Sequence, residues 1–524
     1  MSKYARFALA LAVGTGLAMG ATGPAKAETP KKGGTLSYIV AAEAPSYDLH
    51  KESTFAAVHP IRPFYSLLIR VNPENPQSPT DFQCDICVGE VPKPTDGGKT
   101  YTFKIKKGVK FHDGQVMTAH DVVATYNKIA FPPEGVASVR KAFFKMLDSV
   151  TAPDDETVVF KLKFATGSFL PVLANPMSPI YSAKDLKEHG YDWHEKNVNG
   201  TGAFKFKEAV AGSHVDGVKF EDFHMQGKPY LDGFRALISR KMAIRGRHGW
   251  PERAAIEFRG FPPKQRDDLV KALGKDITVQ ESDWNCVLLY TPNHGRPIMQ
   301  DPRVRQALTL AVDRWGGSQH LSRIAIVKTV GGIGFPGHPL SATKAERAEA
   351  KKLLAEAGKS DLKFELMNRG TDQPYKIVGT WLIGQWRQIG LEVTQRVEPT
   401  KTFYNELRNT KNFDVSLDFN CQSVVNPLVD TSKFVGSAGN NYANFKGQDQ
   451  QLEEIYEQML QAPEEAKQRE LMRVMEKRAL SDQAHMGVTL WWYKINPHRS
   501  YVKGWKIAPS HYLNQSLDQV WLDK

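Results

Sequence analysis

Several short patterns in this chain could carry chemistry. Cys84-Asp-Ile-Cys87 has the spacing of a redox pair, of half a zinc site, or of a small loop closed by a disulfide. Zinc would need a second pair of ligands at matching spacing, and the sequence offers none. A redox pair belongs at the start of a helix, whereas Pro79 precedes and Pro92 follows this one, so the residues favour a structural loop. His112-Asp113 could act as a general base with its orienting carboxylate. Ser138, Ser341 and Ser500 each stand three residues before a lysine (Lys141, Lys344, Lys503), a serine–lysine nucleophile spacing, but the companion SDN and KTG motifs are missing. Gly332-Ile-Gly334-Phe-Pro-Gly337 matches a phosphate-loop pattern, yet Pro336 and Pro339 keep a helix from opening directly behind it. No GxSxG, HExxH or Walker A sequence occurs. Two His-Met doublets, His224-Met225 and His485-Met486, would suit metal capture only if they lined a cleft. No cofactor and no resident metal are expected.

The elements that must position such residues are clearer than the chemistry. Residues 98–129 begin with an alternating strand whose Tyr101, Phe103 and Ile105 share a face. A turn at Gly108 and a His112-Asp113-Gly114 turn follow. Thr118 then caps a helix, with Asp121 three residues on, a capping box with Asp in place of Glu or Gln. Residues 31–40 read as a linker and first strand, residues 157–163 as a further strand, and residues 71–94 as loop-dominated. Asp301 caps a helix with apolar positions Val304, Ala307, Leu308 and Ala311. Residues 345–358 form an amphipathic helix ending on Gly358. Residues 381–390 and the strand after them repeat the helix–Gly–strand pattern. This alternation implies an α/β fold.

Length and composition bound the answer. A chain of 524 residues is too long for one core and splits into two or three domains, and 41% apolar residues suffice to build them. The formal charge of +12 is scattered without a long Lys/Arg block, so it reads as a solvated surface and no nucleic-acid partner is expected. Lys3 and Arg6 precede an apolar stretch, residues 7–21, and Ala25-Lys26-Ala27 is a small-x-small site. We expect a Sec-type signal peptide over residues 1–27, cleaved after Ala27, with no lipid-anchored Cys there. No later run approaches about 18 uninterrupted apolar residues, so a soluble exported protein is expected. Export also favours disulfides over free thiols for Cys84, Cys87, Cys286 and Cys421.

The order and spacing of residues 98–129 resemble the signature of solute-binding protein family 5 of bacterial ABC importers, whose members bind peptides, nickel complexes and similar solutes. Further stretches are similar to the family: Gly33-Gly34-Thr35-Leu36, Phe64-Tyr-Ser-Leu-Leu68, Asn199-Gly-Thr-Gly202, the segment ending Tyr230-Leu231-Asp232, Asp301-Pro-Arg-Val-Arg-Gln-Ala-Leu308 and Ala311-Val-Asp-Arg314. They run from Lys32 to about Trp505. The resemblance implies a type II periplasmic binding protein fold, two lobes with a hinge plus an extra subdomain. The expected division is residues 28–60 with 183–283 and 495–524 in lobe I, 61–182 in the extra subdomain, and 284–494 in lobe II. It implies a periplasmic receptor, monomeric and not an enzyme, that closes on a solute and delivers it to permease subunits in the inner membrane. In some relatives a disulfide joins roughly the regions of Cys286 and Cys421, which makes that pairing the second candidate beside Cys84–Cys87.

A peptide or similar zwitterion needs an acceptor for its ammonium and a donor fork for its carboxylate inside a desolvated cleft. Residues 413–420 read as an edge strand running into a loop. They resemble a family segment whose Asp holds the ammonium of bound peptides, and Asp418 matches that Asp. Ser416 stands where the family has Trp, and Asn426-Pro427 where it has Asp-Pro. Arg369 lies about where dipeptide-binding relatives place a carboxylate-binding Arg. Phe419 and Asn420 follow Asp418. Tyr47, Trp284, Trp491 and Trp492 fall near the expected lobe junctions and are the candidate cleft aromatics; adjacent in a strand, Trp491 and Trp492 must face opposite ways. The alternatives are a secreted hydrolase built on His112-Asp113 or one of the serines, and a nickel or metallophore receptor on the same scaffold.

Overall fold

The computed structural model describes residues 28–239, 254–258, 263–321, 327–330, 342–370, 372–421, 423, 426, 428, 431–436, 441–445, 447–462 and 464–524. The expected signal peptide, residues 1–27, and the glycine-rich pattern Gly332–Gly337 lie outside them, as does Ser341. The expected first strand is β1 (Thr35–Val40). A short hairpin follows, β2 (Ile69–Val71) with β3 (Phe82–Cys84). Next comes an antiparallel sheet of β4 (Thr100–Lys104), β5 (Leu147–Asp154) and β6 (Thr157–Leu162), with β6 in the middle.

The chain then returns to the sheet of β1. Its remaining strands are β7 (Phe204–Val210), β8 (His214–Lys219), β9 (Gly233–Ile238), β10 (Ile256–Glu257), β11 (Ile277–Pro292), β12 (Val327–Val330), β13 (Lys363–Arg369), β14 (Glu392–Glu398), β15 (Val415–Cys421) and β16 (Gly487–Arg499). Their order is β14-β13-β15-β11-β16-β10-β1-β9-β8-β7, with β12 also on β16. β1 runs parallel to β9 and β10, and β13 parallel to β14 and β15. Parallel neighbours need crossovers, and the helix Ile377–Arg387 supplies the one between β13 and β14. The mixed sheet and its helices are the α/β class read from the alternation of patterns.

Two long strands join the halves of this sheet. β11 and β16 pair in regular antiparallel register from Ile277 opposite Arg499 to Asp283 opposite Tyr493, and the register shifts between Asp283 and Val287. Beyond the shift, β11 pairs with β15, from Cys286 opposite Cys421 to Pro292 opposite Val415. At its other end β16 pairs with β10 through His498 and Ile256. Trp284 stands in the irregular stretch, where a bulge re-aims side chains.

The expectation of an edge strand at residues 413–420 is corrected here. β15 lies inside the sheet, between β13 and β11, and Asp418 is within the strand rather than in a loop. The alternation of Val415 and Leu417 with Ser416 and Asp418 has the look of a half-solvated strand. Its polar face meets buried polar partners instead of water. Arg369 is the last residue of β13.

Local signals hold where backbone chemistry decides them. Thr118 and Asp121 form the reciprocal capping box of the helix Ala119–Ala130, and Asp301 Oδ1 accepts from Arg303 N at the start of Pro302–Leu310. The helix Lys344–Glu356 carries its own box, Thr343 with Glu346, and Gly358 takes the left-handed conformation behind it. The two glycine-bearing turns dock on each other: His112 donates from its backbone N to Gly200 O (2.9 Å) and from Nε2 to Gly202 O (3.1 Å). Gly202 itself lies against residues 63–65, where an added Cβ would fall 2.3 Å from Tyr65 N.

The loop behind β1 is pinned from below. Lys128 Nζ lies 2.6 Å from Asp48 Oδ2, both buried, and Tyr181 Oη donates to Asp48 Oδ1 (3.0 Å). Burial alone would raise the Asp48 carboxyl, but Lys128 and the imidazoles of His50 and His194 outweigh it and hold it low. Arg140 donates to the carbonyls of Leu49, His50 and Glu52. No helix among the described residues is long and apolar enough to cross a membrane.

Candidate functional site

Side chains from both halves of the sheet converge beside the two long strands. From the β1 side come Glu52, Ser53, and Phe55 at the start of the helix Phe55–Ile61, whose N-cap Thr54 accepts from Ala56 N. His511 comes from the C-terminal loop. From the β13 side come Arg369, Tyr375, Tyr404, Arg408, Asp418 and Phe419. Trp284 of β11 stands between them.

These groups touch in a closed ring. The Arg369 guanidinium lies 5.5 Å from the Phe55 ring, and Phe55 packs 4.7 Å from His511. His511 packs 5.1 Å from Trp284, Trp284 5.1 Å from Phe419, and Phe419 5.5 Å from Tyr375. Arg369 Nη1 closes the ring by donating to Tyr375 Oη (2.9 Å). The guanidinium also lies 4.8 and 5.4 Å from the Tyr375 and Tyr404 rings and donates to Thr400 Oγ1 (3.2 Å). A cavity of about 180 Å³ adjoins it, lined by Ala41, Ala42, Gly370, Val397, Glu398, Pro399 and Thr400.

The charges in the ring compensate one another. Asp418 Oδ1 lies 3.9 Å from Arg369 Nη1, and Asp418 Oδ2 accepts from Tyr404 Oη (2.9 Å). Burial raises the Asp418 carboxyl, with Arg369 and Tyr404 pulling the other way. Burial would loosen the Arg369 proton, but the oxygens of Tyr375, Tyr404 and Asp418 prevail and it stays charged. A second bridge spans the halves: Arg408 donates to Glu52 Oε2 (3.2 Å) and Ser53 Oγ (3.0 Å), and Ser53 Oγ is 3.3 Å from Tyr442 Oη.

Of the residues singled out from sequence, Asp418, Arg369, Trp284 and Phe419 come together in this ring. Trp492 packs edge-on to Phe419 at 5.9 Å. Asn420, half-buried on β15, has an unpartnered Oδ1. Trp491 points the other way, into the core built from β4, β6 and the helices Gln450–Gln461 and Glu465–Lys477. Tyr47 is outside the ring, beside Phe206 of β7. Phe55, Tyr375, Tyr404, Arg408 and His511 were not anticipated; each is an ordinary residue in its local sequence, and only its partners give it meaning.

The catalytic patterns do not assemble. Asp113 accepts from Gln115 N and makes no bond to His112, whose imidazole burial pushes down to about 4. Ser138 Oγ donates to Ile129 O, and Ser500 Oγ to Lys275 O. His224 is bonded to Ser66 and His485 to Asp449, and neither contacts the ring. Glu208, His214 and Asp216 bring possible metal-ligand atoms within 4.8 Å of one another on the β7–β8 hairpin, but Asp216 is held there by two hydrogen bonds from Arg235. Cys286 and Cys421, opposite each other on β11 and β15, are 4.1 Å apart at Cα, and Cys84 and Cys87 are 4.9 Å apart; both pairs are at bonding distance.

The family described as bacterial extracellular solute-binding proteins, family 5, matches residues 88–442. The oligopeptide-binding protein AppA of Bacillus subtilis is 29% identical over 351 residues, 60% of this chain and 61% of that protein. The match thus spans about three fifths of the relative's length. The structure of AppA in complex with a nonapeptide superposes with a TM-score of 0.81 at 20% identity, covering 95% of this chain and 100% of that one. The structure of AgaA from A. tumefaciens R10, in complex with agropinic acid, superposes with a TM-score of 0.79 at 18% identity, covering 94% and 99%. The fold is therefore the two-lobed type II arrangement expected from the sequence.

Proposed function

The chain belongs to the bacterial extracellular solute-binding proteins of family 5, and on that footing we propose that it is the exported receptor of an ABC importer, capturing a peptide or related zwitterionic solute. The observation that carries this reading is the buried ring at the junction of the sheet halves. There Asp418 offers an acceptor to an ammonium, Arg369 a donor fork to a carboxylate, and Phe55, Trp284, Phe419 and Tyr375 apolar walls. In this reading the solute is held and released unchanged.

In this reading residues 28–60, 183–283 and 495–524 form one lobe, residues 284–494 the other, and residues 61–182 the extra subdomain. β11 and β16 act as the hinge. Closure is driven by the difference in solute affinity between open and closed forms. Bonds that span the halves, Arg408 to Glu52 and Ser53, and Tyr442 to Ser53, form at that step. The leader is removed after Ala27, the mature monomer carries the Cys84–Cys87 and Cys286–Cys421 disulfides, and the closed form docks on the permease subunits.

Thermal unfolding in the presence of di- to pentapeptides tests the reading. A peptide that binds the folded state raises Tm in a saturable way. Stabilisation by some other solute, with none from any peptide, would overturn the peptide assignment. Product formed from a bound peptide would overturn the receptor assignment itself.

A further inference from the structure

Lys494 is a buried cation without a counter-charge. It projects from β16, opposite Ser282 of β11, and is 1% exposed. Its ammonium makes no hydrogen bond or ion pair among the described residues, and the Trp505 ring is 6.0 Å away. The carboxylates of the adjoining strands, Glu257 on β10 and Asp283 on β11, do not pair with it. Burial holds the ammonium down to about 7.

The Lys494 charge is felt at His511, and His511 and its neighbour Trp284 are further polar groups without partners. Neither ring nitrogen of His511 has a partner, and the indole N–H of Trp284, whose ring packs 5.1 Å from His511, has none. His59 packs 4.5 Å from His511 and is satisfied, its Nε2 donating to His511 O (3.1 Å). Burial, then the nearby Lys494 charge, keeps the His511 imidazole neutral. The walls around these groups are Phe55, Phe258 and Phe419.

An ammonium, an indole N–H and an imidazole, buried together and lacking acceptors, are costly unless an acceptor arrives. A negatively charged acceptor serves all three. Elsewhere in the ring Asp418 is offset by Arg369 and Glu52 by Arg408, so the surplus charge is that of Lys494. We propose that Lys494, His511 and the Trp284 N–H form a subsite for a carboxylate of the captured solute. This rests on the receptor reading and narrows the solute to one that carries an acidic group.

Calorimetry with matched probes tests it: trialanine against trialaninamide, and galacturonate against galactose, on wild-type protein, Lys494→Met and Trp284→Phe. The acid of at least one pair should bind wild type about tenfold or more tightly than its neutral partner, as a charge-assisted contact requires. Lys494→Met should abolish that preference, and Trp284→Phe should reduce it. Because methionine relieves a buried unpaired cation, the unliganded Lys494→Met protein should also melt higher than wild type, which reports that it is folded. A preference that survives in Lys494→Met, equal binding of acid and neutral partner in both pairs, or no binding of either acid overturns the subsite. Trialanine and its amide bound equally well, with no galacturonate preference either, removes the subsite and leaves the peptide receptor standing. A galacturonate preference lost in Lys494→Met, with both peptides inert, supports the subsite and removes the peptide reading.

Discussion

The Asp418 carboxylate lies 3.9 Å from the Arg369 guanidinium, although the two residues come from different strands, β15 and β13, 49 positions apart in the chain. Arg369 is buried and Asp418 half-buried against it, so each depends on the other. Arg369→Met leaves the Asp418 charge uncompensated and should cost about 3–5 kcal/mol in urea unfolding. Asp418→Asn keeps the shape and the bond from Tyr404 and should cost less, about 1–3 kcal/mol, while weakening solute binding. A neutral Arg369→Met protein would show that the pair is not coupled.

Arg408 joins the β13 side of the molecule to Glu52 and Ser53 on the β1 side. If this bridge holds the lobes together, Arg408→Met should shift the unliganded protein toward an open form. Small-angle scattering should then give a larger radius of gyration, and solute affinity should fall about tenfold, the effect of about 1.4 kcal/mol. Unchanged scattering and affinity would make the bridge incidental.

Cys286 and Cys421 sit opposite each other in the β11–β15 ladder with 135 positions between them. A cross-link over so long a loop removes much freedom from the unfolded chain, worth about 4–5 kcal/mol on the entropy model. The double variant Cys286→Ala/Cys421→Ala should melt well below wild type. Peptide mapping without reduction should recover the two cysteines linked. Free thiols at both positions would refute the pairing.

Several histidines are buried and held neutral by that burial: His59 is pushed down to about 3, His112 to about 4, His194 to about 3 and His224 to about 4. Unfolded, each takes up a proton near its ordinary value of about 6.5. The unfolded state therefore binds more protons below that pH. Stability is full above about 6.5 and falls as pH drops toward about 4, by up to about 1.4 kcal/mol per pH unit for each histidine. Urea unfolding at pH 7.5 and 5.0 checks the sign; equal stability at both would be evidence against buried neutral imidazoles.

What could be read from sequence was set by local backbone chemistry. Thr118 with Asp121, Asp301 before Pro302, and Gly358 behind its helix all act within four residues, so their spacing is the whole signal. The family resemblance extended that reading to the scaffold, because turns such as residues 199–202 require glycine against a fixed neighbour. The same local logic misread residues 413–420. Alternating polarity tells which face a residue is on, and it does not tell whether the polar face meets water or a buried guanidinium.

The sequence by itself determined the α/β scaffold and its capped helices, because those features are written in short-range spacing and composition, while the family resemblance pointed to Asp418 and Arg369 as candidates. Only the tertiary structure decided that these two charges face each other inside an aromatic ring, that Tyr47 and Trp491 stand outside it, and that Lys494 is buried beside His511. Such relations join residues tens to hundreds of positions apart across strands, and their energies depend on which groups burial leaves without partners. That is a property of the packed chain, with no counterpart in the order of its residues.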